Sequence, residues 1–216
     1  MLNVKEKLQA LLYEIRPHRD GSPITNLKLD KITAAEIEQL TMELERINPN
    51  PNFLLDAIDL LEGAWQLQYS TAREICSLDS LPLGFKLGKV YQLIDVSNKS
   101  FLNLAYVKHN LGILSGYVKV TATFEPAIAD LWPLANKRIN IYFDKHYRAI
   151  EKIIGIETPQ LNPFKVVSVN NSLGRVDTLD ITYLDEKLRI GRAGNGSLFI
   201  LRKVNDFTDQ QYNLHR

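Results

Sequence analysis

The chain has 216 residues, which suits one domain or one domain with an appended subdomain, and its 45% hydrophobic content is ordinary for a globular protein. Its 26 basic and 25 acidic residues give a net charge of +1, so the overall charge gives no argument for a nucleic-acid partner, although it leaves room for a local basic patch. The single cysteine, Cys76, excludes an internal disulfide and is interpreted as a small buried hydrophobe.

The N-terminal segment, residues 1–61, is predicted to be helical and to pack on the domain that follows. A second helix is predicted to begin at Thr33, the N-cap of a capping box with Glu36, and Asn50 is predicted to cap a short third helix. The N-terminus is amphipathic and does not resemble a secretory signal, and no apolar run reaches the ~18 residues of a membrane-spanning helix. We therefore expect any membrane contact to be peripheral.

At Gly63 the hydrophobic period changes from about 3.6 to about 2, which indicates strands. The predicted strands lie near 65–70, 88–96, 101–108, 117–125, 139–144, 147–154, 165–171 and 179–183. Short turns between them predict an antiparallel meander, and a meander of this size tends to close because closure removes exposed edges. The predicted fold is α+β but mainly β: helices, then an antiparallel up-and-down β-barrel at 62–204, then a polar tail at 205–216.

One alternating set of side chains in such a barrel points inward. A barrel of the eight-strand class has room for side chains and one small ligand. The predicted lining is apolar and suits an apolar or amphipathic molecule. Its members are Trp65, Leu67, Tyr69, Val118, Val120, Phe124, Ile141, Phe143, Ile181 and Tyr183.

The segment YLDEKLRIGRAGNGSLFIL, residues 183–201, has charges that suggest a site and glycines that suggest a phosphate loop. A phosphate loop leads into a helix, whereas these glycines lead into a strand pattern, so Asn195-Gly196 is predicted to form a tight hairpin turn. Asp185 and Glu186 are adjacent and would point to opposite faces of a strand, which makes them poor partners for acid–base catalysis.

We predict instead a turn at residues 185–187, with an ion pair between Asp185 and Arg189 across it. The four histidines show no metal-ligand spacing, and no serine-nucleophile motif is present. The residues thus predict no cofactor and no enzymatic site, and an enzyme using Asp185 with an arginine is the least favoured hypothesis.

Two motifs carry a resemblance to a known family. Residues 63–70, GAWQLQYS, resemble the "GxWxLxYs" opening of the plastid lipid-associated proteins, also called plastid fibrillins. Residues 183–192 followed by 196–201 resemble the C-terminal signature of that family, with Ala193 where glycine is expected. The resemblance covers nearly the whole chain.

The resemblance implies a lipocalin-like barrel without enzymatic activity. It further implies binding of carotenoids, quinones or other prenyl lipids, and association with thylakoids or plastoglobule-like lipid globules. Because the chain starts directly in the family's first helix, it looks like a cyanobacterial member at the cytoplasmic side of the thylakoid, or a trimmed plastid one. A second function stays open, in which a solidly packed barrel docks on a protein partner such as a prenyl synthase through its helices or loops.

Lipocalins place a Gly-x-Trp on the first strand, and the tryptophan closes one barrel end beneath an arginine from a late strand. The resemblance gives Gly63 and Trp65 the first role, and Arg192 or Arg202 the second. Asp185 and Arg189 are the remaining signature residues expected at that barrel end.

Overall fold

The computed structural model describes residues 3–16, 20–127, 137–169, 176–205 and 207. The helices are α1 (Val4–Glu14), α2 (Lys31–Arg46), α3 (Phe53–Asp56) and α4 (Arg73–Asp79). The strands are β1 (Ile24–Thr25), β2 (Gly63–Ser70), β3 (Phe85–Asp95), β4 (Ser100–His109), β5 (Leu114–Pro126), β6 (Arg138–Ile153), β7 (Ile156–Glu157), β8 (Lys165–Ser168), β9 (Asp177–Leu184), β10 (Leu188–Ala193) and β11 (Leu198–Val204). Short 3-10 turns lie at Asn26–Lys28, Ile58–Leu61 and Pro159–Leu161.

Eight of these strands close into an antiparallel barrel. Their order around the barrel is β2, β3, β4, β5, β6, β9, β10 and β11, and β11 pairs with β2 to complete the ring. The short β1 adds to the end of β2 in parallel, and β7 and β8 pair with β6 outside the ring. The predicted α+β, mainly β fold with helices before an up-and-down barrel is confirmed.

Strand β6 is longer than the sequence pattern predicts. The predicted strands 139–144 and 147–154 are one element, because β5 pairs with β6 along nearly its whole length. On the other edge of β6, residues 138–141 pair with β9, and its later residues pair with β8 and β7. The predicted strand at 165–171 ends at Ser168. The second half of β6 therefore continues beyond the segment that pairs with β9, toward one end of the barrel.

Helix α2 begins earlier than predicted. Its N-cap is Asp30, whose carboxylate accepts hydrogen bonds from the backbone amides of Ile32 and Thr33, both at 2.9 Å. The Thr33 hydroxyl donates to the same carboxylate at 2.7 Å. Thr33 is thus a donor to the cap and not the cap, because a carboxylate satisfies two free amides at a helix start.

The short third helix also differs from its prediction. The N-cap of α3 is Asn52, without a side-chain cap, and Asn50 has another role. The Asn50 side-chain amide donates to the carbonyl oxygen of Leu184 at 2.9 Å, and so fastens this segment to the end of β9.

One end of the barrel is covered by α3 and by the turn at 58–61. Phe53 and Leu61 from this cover are fully buried and pack in one cluster with Trp65. This end, where β2 begins at Gly63, is called the plugged end below. The buried members contributed by the barrel strands are Trp65, Leu67, Leu87, Val90, Ile94, Phe101, Ala105, Ala122, Phe124, Ile139, Ile181, Leu184 and Leu201.

A second apolar layer lies outside the barrel. Helices α1 and α2 bury one face each against the outer side of β9, β10, β11 and the end of β2. The buried members of this layer are Leu8, Leu12, Ile24, Ile37, Leu44, Tyr69, Tyr183, Leu188, Ile190, Leu198 and Ile200. The amphipathic helices of the N-terminal segment are therefore held by the sheet and not by one another alone.

Parts of two predictions fall outside the described residues. These are the polar tail at 205–216, except Asn205 and Phe207, and the last two residues of the strand predicted at 165–171. The ring of Phe207 lies 5.0 Å, centroid to centroid, from that of Tyr91 on the outer face of β3. Within the described ranges, no helix has the length and apolar character needed to cross a membrane.

Candidate ligand-binding site in the barrel

The structure places eight of the ten predicted lining residues on the inner wall. Four of them are buried in the interior cluster: Trp65, Leu67, Phe124 and Ile181. Ile141 and Phe143 are only half-buried against the same cluster. The half-buried Val118 and Val120 lie opposite Ala105 and Asn103 of β4, on the inward face of β5.

The prediction that Tyr69 and Tyr183 line the barrel is wrong, since both lie in the outer layer beneath the helices. The cause is one extra residue in each strand. Leu67 pairs with Leu201 but Tyr69 pairs with the adjacent residue of β11, Ile200, so Gln68 is an insertion. A matching register shift in the β9–β10 pairing separates Ile181 from Tyr183. A bulge of one residue sends the next side chain to the other face.

Trp65 is fixed at the plugged end by three contacts. Its indole Nε1 donates to the carbonyl oxygen of Leu61 at 2.8 Å. The guanidinium carbon of Arg189 lies 4.9 Å from the centre of the Trp65 ring, and the ammonium of Lys203 lies 4.6 Å from it. The negative faces of the indole ring thus stabilise two cations that barrel closure brings together.

Arg189 therefore has the role that the resemblance assigned to Arg192 or Arg202. Arg189 pairs across the sheet with two interior residues, whereas Arg192, three residues further along the regularly alternating β10, lies outside. Arg192 forms salt bridges with Glu38 and Glu45 of α2, and Arg202 donates to Gln66. The prediction for Arg192 and Arg202 is wrong because both lie on the outer face, where they pair with Leu198 and Leu188 of the outer layer.

Arg189 is the most deeply buried cation of the inner wall, with 2% of its surface exposed. Burial lowers the pKa of Arg189 to about 9, so the side chain still carries its charge at neutral pH. None of the salt bridges among the described residues includes Arg189. Its charge is compensated by the Trp65 ring and by hydrogen bonding to a neutral amide, not by an acid.

A row of polar groups continues from Arg189 across the inner wall. The Arg189 Nη2 donates to the Gln92 side-chain oxygen, and the Gln92 amide donates to Asn103 Oδ1 at 2.8 Å. Gln92 faces Trp65 in the β2–β3 register, and Asn103 faces Val120 in the β4–β5 register. Gln92 and Asn103 are half-buried, so this polar row meets the half-buried apolar wall of β5.

Sequence reasoning did not identify Gln92 and Asn103 as site residues. The strands containing them were predicted, but their faces were not assigned. The available signal was a polar residue between two inward apolar ones: Gln92 lies between Val90 and Ile94, and Asn103 between Phe101 and Ala105. A polar side chain at an inward position is rarely left without a partner, and here the two amides are partners of each other.

Asp185 does not pair with Arg189, so that prediction is wrong. Its carboxylate accepts from the backbone amides of Lys187 and Leu188, and from the side chains of Lys5 and Tyr183. Burial would raise the pKa of Asp185, but these hydrogen bonds outweigh it and hold the pKa below its ordinary value. Asp185 shapes the predicted turn at 185–187 and fastens α1 to it, which leaves it poorly placed for catalysis.

The described residues offer little other chemistry. No group of three or more His, Cys, Asp and Glu within them is placed to hold a metal ion. Cys76 is buried in α4, as predicted for a small hydrophobe, and burial raises the pKa of its thiol. The hairpin turn predicted at Asn195-Gly196 joins β10 to β11, with Gly196 at φ +85°.

Comparison with known proteins gives relatives from plants. The chain is 32% identical to "Plastid-lipid-associated protein 6, chloroplastic" of Arabidopsis thaliana, over 79% of this chain and 61% of that protein. It is 30% identical to "Chromoplast-specific carotenoid-associated protein C1, chromoplastic" of an Oncidium hybrid cultivar, over 82% and 64%. It is 28% identical to "Plastoglobulin-1, chloroplastic" of Pisum sativum, over 82% and 56%. The chain thus spans about three fifths of the length of these relatives.

The family comparison covers the barrel almost completely. The PAP_fibrillin family model matches residues 25–202, from β1 to the end of the barrel. Both motifs that carried the resemblance, GAWQLQYS and the segment around Arg189, lie within this match. Because the match extends over most of the sequence, the chain belongs to the PAP_fibrillin family.

Proposed function

We propose that the barrel binds a hydrophobic small molecule with a polar head and carries or sequesters it without chemical conversion. The ligand class is a quinone, a carotenoid or another prenyl lipid, held at a photosynthetic membrane or a lipid globule. The observation that carries this proposal is the junction on the inner wall between the half-buried Val118 and Val120 and the polar row Arg189–Gln92–Asn103.

The apolar part of the wall supports ligand binding because it is incompletely covered. Val118, Val120, Ile141 and Phe143 face inward but keep accessible surface, unlike the buried residues of the plugged end. Covering such surface contributes about 25 cal/mol per Å2 of apolar area. An extended hydrocarbon chain therefore gains affinity along this side of the barrel without needing directional contacts.

The polar row supports a ligand head that accepts hydrogen bonds. Among the described residues, Arg189 makes a single side-chain hydrogen bond, to Gln92, although a guanidinium has five N–H donors. The Asn103 amide oxygen is occupied by Gln92, which leaves its N–H groups to meet a ligand. A carbonyl or hydroxyl oxygen suits these donors, and the names of the relatives refer to lipids and carotenoids.

Uptake of decylplastoquinone, a quinone with an apolar tail, tests the proposal. The protein contains two tryptophans, Trp65 and Trp132, so a Trp132→Phe background reports on Trp65 alone. We expect quenching of Trp65 fluorescence, and an affinity loss of about tenfold or more with Val120→Asp, which puts a charge on the inner wall. Thr123→Asp on the exposed outer face of the same strand is the matched control.

The head-group contact is tested separately. Gln92→Leu removes the middle of the polar row while keeping the side-chain size. We expect it to weaken binding of the quinone but not of β-carotene, a hydrocarbon without oxygen. If neither ligand is taken up by the folded protein, or if Val120→Asp and Thr123→Asp behave alike, the barrel is not the binding site.

The alternative function is that of an interaction protein with a solidly packed barrel. The dense cluster of the plugged end, where Phe53, Leu61 and Trp65 are fully buried, favours it. It predicts no ligand uptake together with capture of a protein partner, such as a prenyl synthase, that is lost when residues 1–60 are deleted.

A further inference from the structure

Three turns at the barrel end opposite the plugged end form one continuous edge. They are the loop before β3, the β4–β5 turn and the β6–β7 turn. The backbone amide of Asn110 donates to the carbonyl of Gly84 at 2.9 Å, and the amide of Ile154 donates to the carbonyl of Ile113 at 2.7 Å. These two hydrogen bonds join the three turns side by side.

Large aliphatic side chains project from this edge. Leu83 is 84% exposed, Leu111 77% and Ile154 75%, and their neighbours are also exposed. The set is called the apolar tip and consists of Leu83, Leu111, Ile113, Ile154 and Ile156. Four of its members belong to three separate turns and Ile156 begins β7, so together they form a cluster and not a single stray hydrophobe.

At two of these positions the backbone conformation disfavours an aliphatic residue. Leu83 has φ +61° and Ile154 has φ +50°, in the left-handed region that favours glycine and asparagine. For a β-branched residue such as Ile154 this conformation is costly. An exposed side chain gains nothing from burial within the chain, so neither packing nor backbone preference accounts for an aliphatic residue at either position. A contact outside the chain does account for it.

The surroundings of the tip carry more positive than negative charge. The nearby cations are Lys86, Lys108, Arg148, Lys152 and Lys165, and the nearby acids are Asp20, Glu151 and Glu157. Asp20 is paired with Lys108 at 3.1 Å. Lysines next to projecting aliphatic side chains are complementary to a lipid layer, which has an apolar interior and anionic head groups.

We propose that the apolar tip inserts into the head-group layer of an anionic lipid surface. A cluster of side chains that projects from neighbouring turns suits a deformable lipid layer better than a protein partner, which would need a complementary pocket for each. The proposal rests on the proposed function for the location at a membrane or lipid globule and names the surface that makes this contact, but it does not depend on ligand binding in the barrel. It also gives the barrel an orientation, since β5 runs from the tip directly to Val118 and Val120 on the inner wall.

Vesicle flotation with the full chain tests the proposal. We expect binding to vesicles of phosphatidylcholine that contain phosphatidylglycerol, and weaker binding to pure phosphatidylcholine or at high salt. Leu83→Asn and Ile154→Asn should each lower the partition coefficient about tenfold. Both variants should fold at least as stably as the parent, because asparagine tolerates positive φ.

The matched controls are Leu55→Asn and Ile47→Asn, at side chains 62% and 63% exposed near the plugged end. They should leave vesicle binding unchanged, and the tip variants should leave decylplastoquinone uptake unchanged. The proposal is overturned if the parent protein does not bind anionic vesicles, if tip and control variants bind alike, or if the tip variants lose a protein partner while vesicle binding persists.

Discussion

Arg189 and Trp65 are in contact inside the barrel, with the guanidinium carbon 4.9 Å from the ring centre, although β11 lies between their two strands. Both side chains are buried. The ring face compensates part of the cost of burying a cation, and the Gln92 amide oxygen compensates another part. The pair joins the closing strands of the barrel while leaving guanidinium donors for a ligand.

Replacing Arg189 separates the effect of its charge from the effect of its volume. We expect Arg189→Met to lower the free energy of unfolding by less than about 1.5 kcal/mol, because methionine fills the space of the aliphatic stem. Arg189→Ala should cost about 3 kcal/mol, because it also leaves a cavity beside Trp65. Urea denaturation monitored by tryptophan fluorescence measures both, and equal losses would mean that the charge itself is needed for folding.

The barrel class, most of its strands and the motif residues could be predicted from the sequence, since alternation and turn residues are local signals. The union of 139–144 with 147–154 in β6 and the place of β8 outside the ring could not. The facing of Tyr69 and Tyr183 could not be predicted. Each follows an inserted residue, Gln68 or Thr182, and the alternation of apolar and polar residues continues through the insertion without any sign of it. Arg189 and Arg192 lie three residues apart in the regular strand β10, so alternation puts them on opposite faces, and the pairing decides which of the two faces inward. Register across strands depends on which neighbours pair, and one sequence does not record it.

The polar row and the apolar tip differ in what the sequence could have shown. Gln92 and Asn103 are adjacent only because β3 and β4 pair in one particular register. The exposure of Leu83 and Ile154 depends on which turns project beyond the barrel, and their positive φ follows from the turns that β3 and β7 require. Alternation marks Gln92 and Asn103 as polar residues between apolar ones, but their contact with each other and the exposure of the tip arise only when the sheet assembles.

Asp185→Asn should change how stability depends on pH. The pKa of Asp185 lies below its ordinary value of 3.8, although burial alone would raise it, because Lys5, Tyr183 and two backbone amides donate to the carboxylate. The unfolded state therefore takes up the proton first as the pH falls. This stabilisation is fully present above the pKa that Asp185 has in the unfolded state. It is lost as the pH decreases toward the lower pKa that Asp185 has in the folded state.

We expect Asp185→Asn to lower the free energy of unfolding by about 1–2 kcal/mol at neutral pH, and by less at about pH 3. Urea titrations across this pH range measure the difference. Glu186→Gln, at the exposed neighbouring position of the same turn, should leave the pH profile nearly unchanged. Parallel profiles for the parent and Asp185→Asn would contradict this prediction.

Arg192 fastens α2 to the barrel through a branched set of charged contacts. Its Nε donates to Glu45 at 2.7 Å and its Nη2 donates to Glu38 at 2.6 Å, and the Thr182 hydroxyl also donates to Glu45 at 2.6 Å. Lysine retains the charge but cannot reach both carboxylates at once. We expect Arg192→Lys to cost about 1 kcal/mol in urea denaturation at low salt. Arg138→Lys, at a single pair with Asp180, should cost less, and the reverse order would contradict the prediction.

At Gly116, between the inner wall and the apolar tip, β6 approaches β5 too closely for a side chain. A Cβ on this residue would lie 2.0 Å from the carbonyl oxygen of Ala149, which is backbone and cannot rotate away. We expect Gly116→Ala to lower the free energy of unfolding by more than about 2 kcal/mol, whereas the neighbouring Ser115→Ala should cost far less. The β5–β6 register shifts at Ser115/Gly116, so the damage should be greatest between this point and the turn at Ile154. Hydrogen exchange should therefore accelerate at Leu114 and Ile153 before it does at the plugged end, and uniform acceleration would show that the strands separate as one unit.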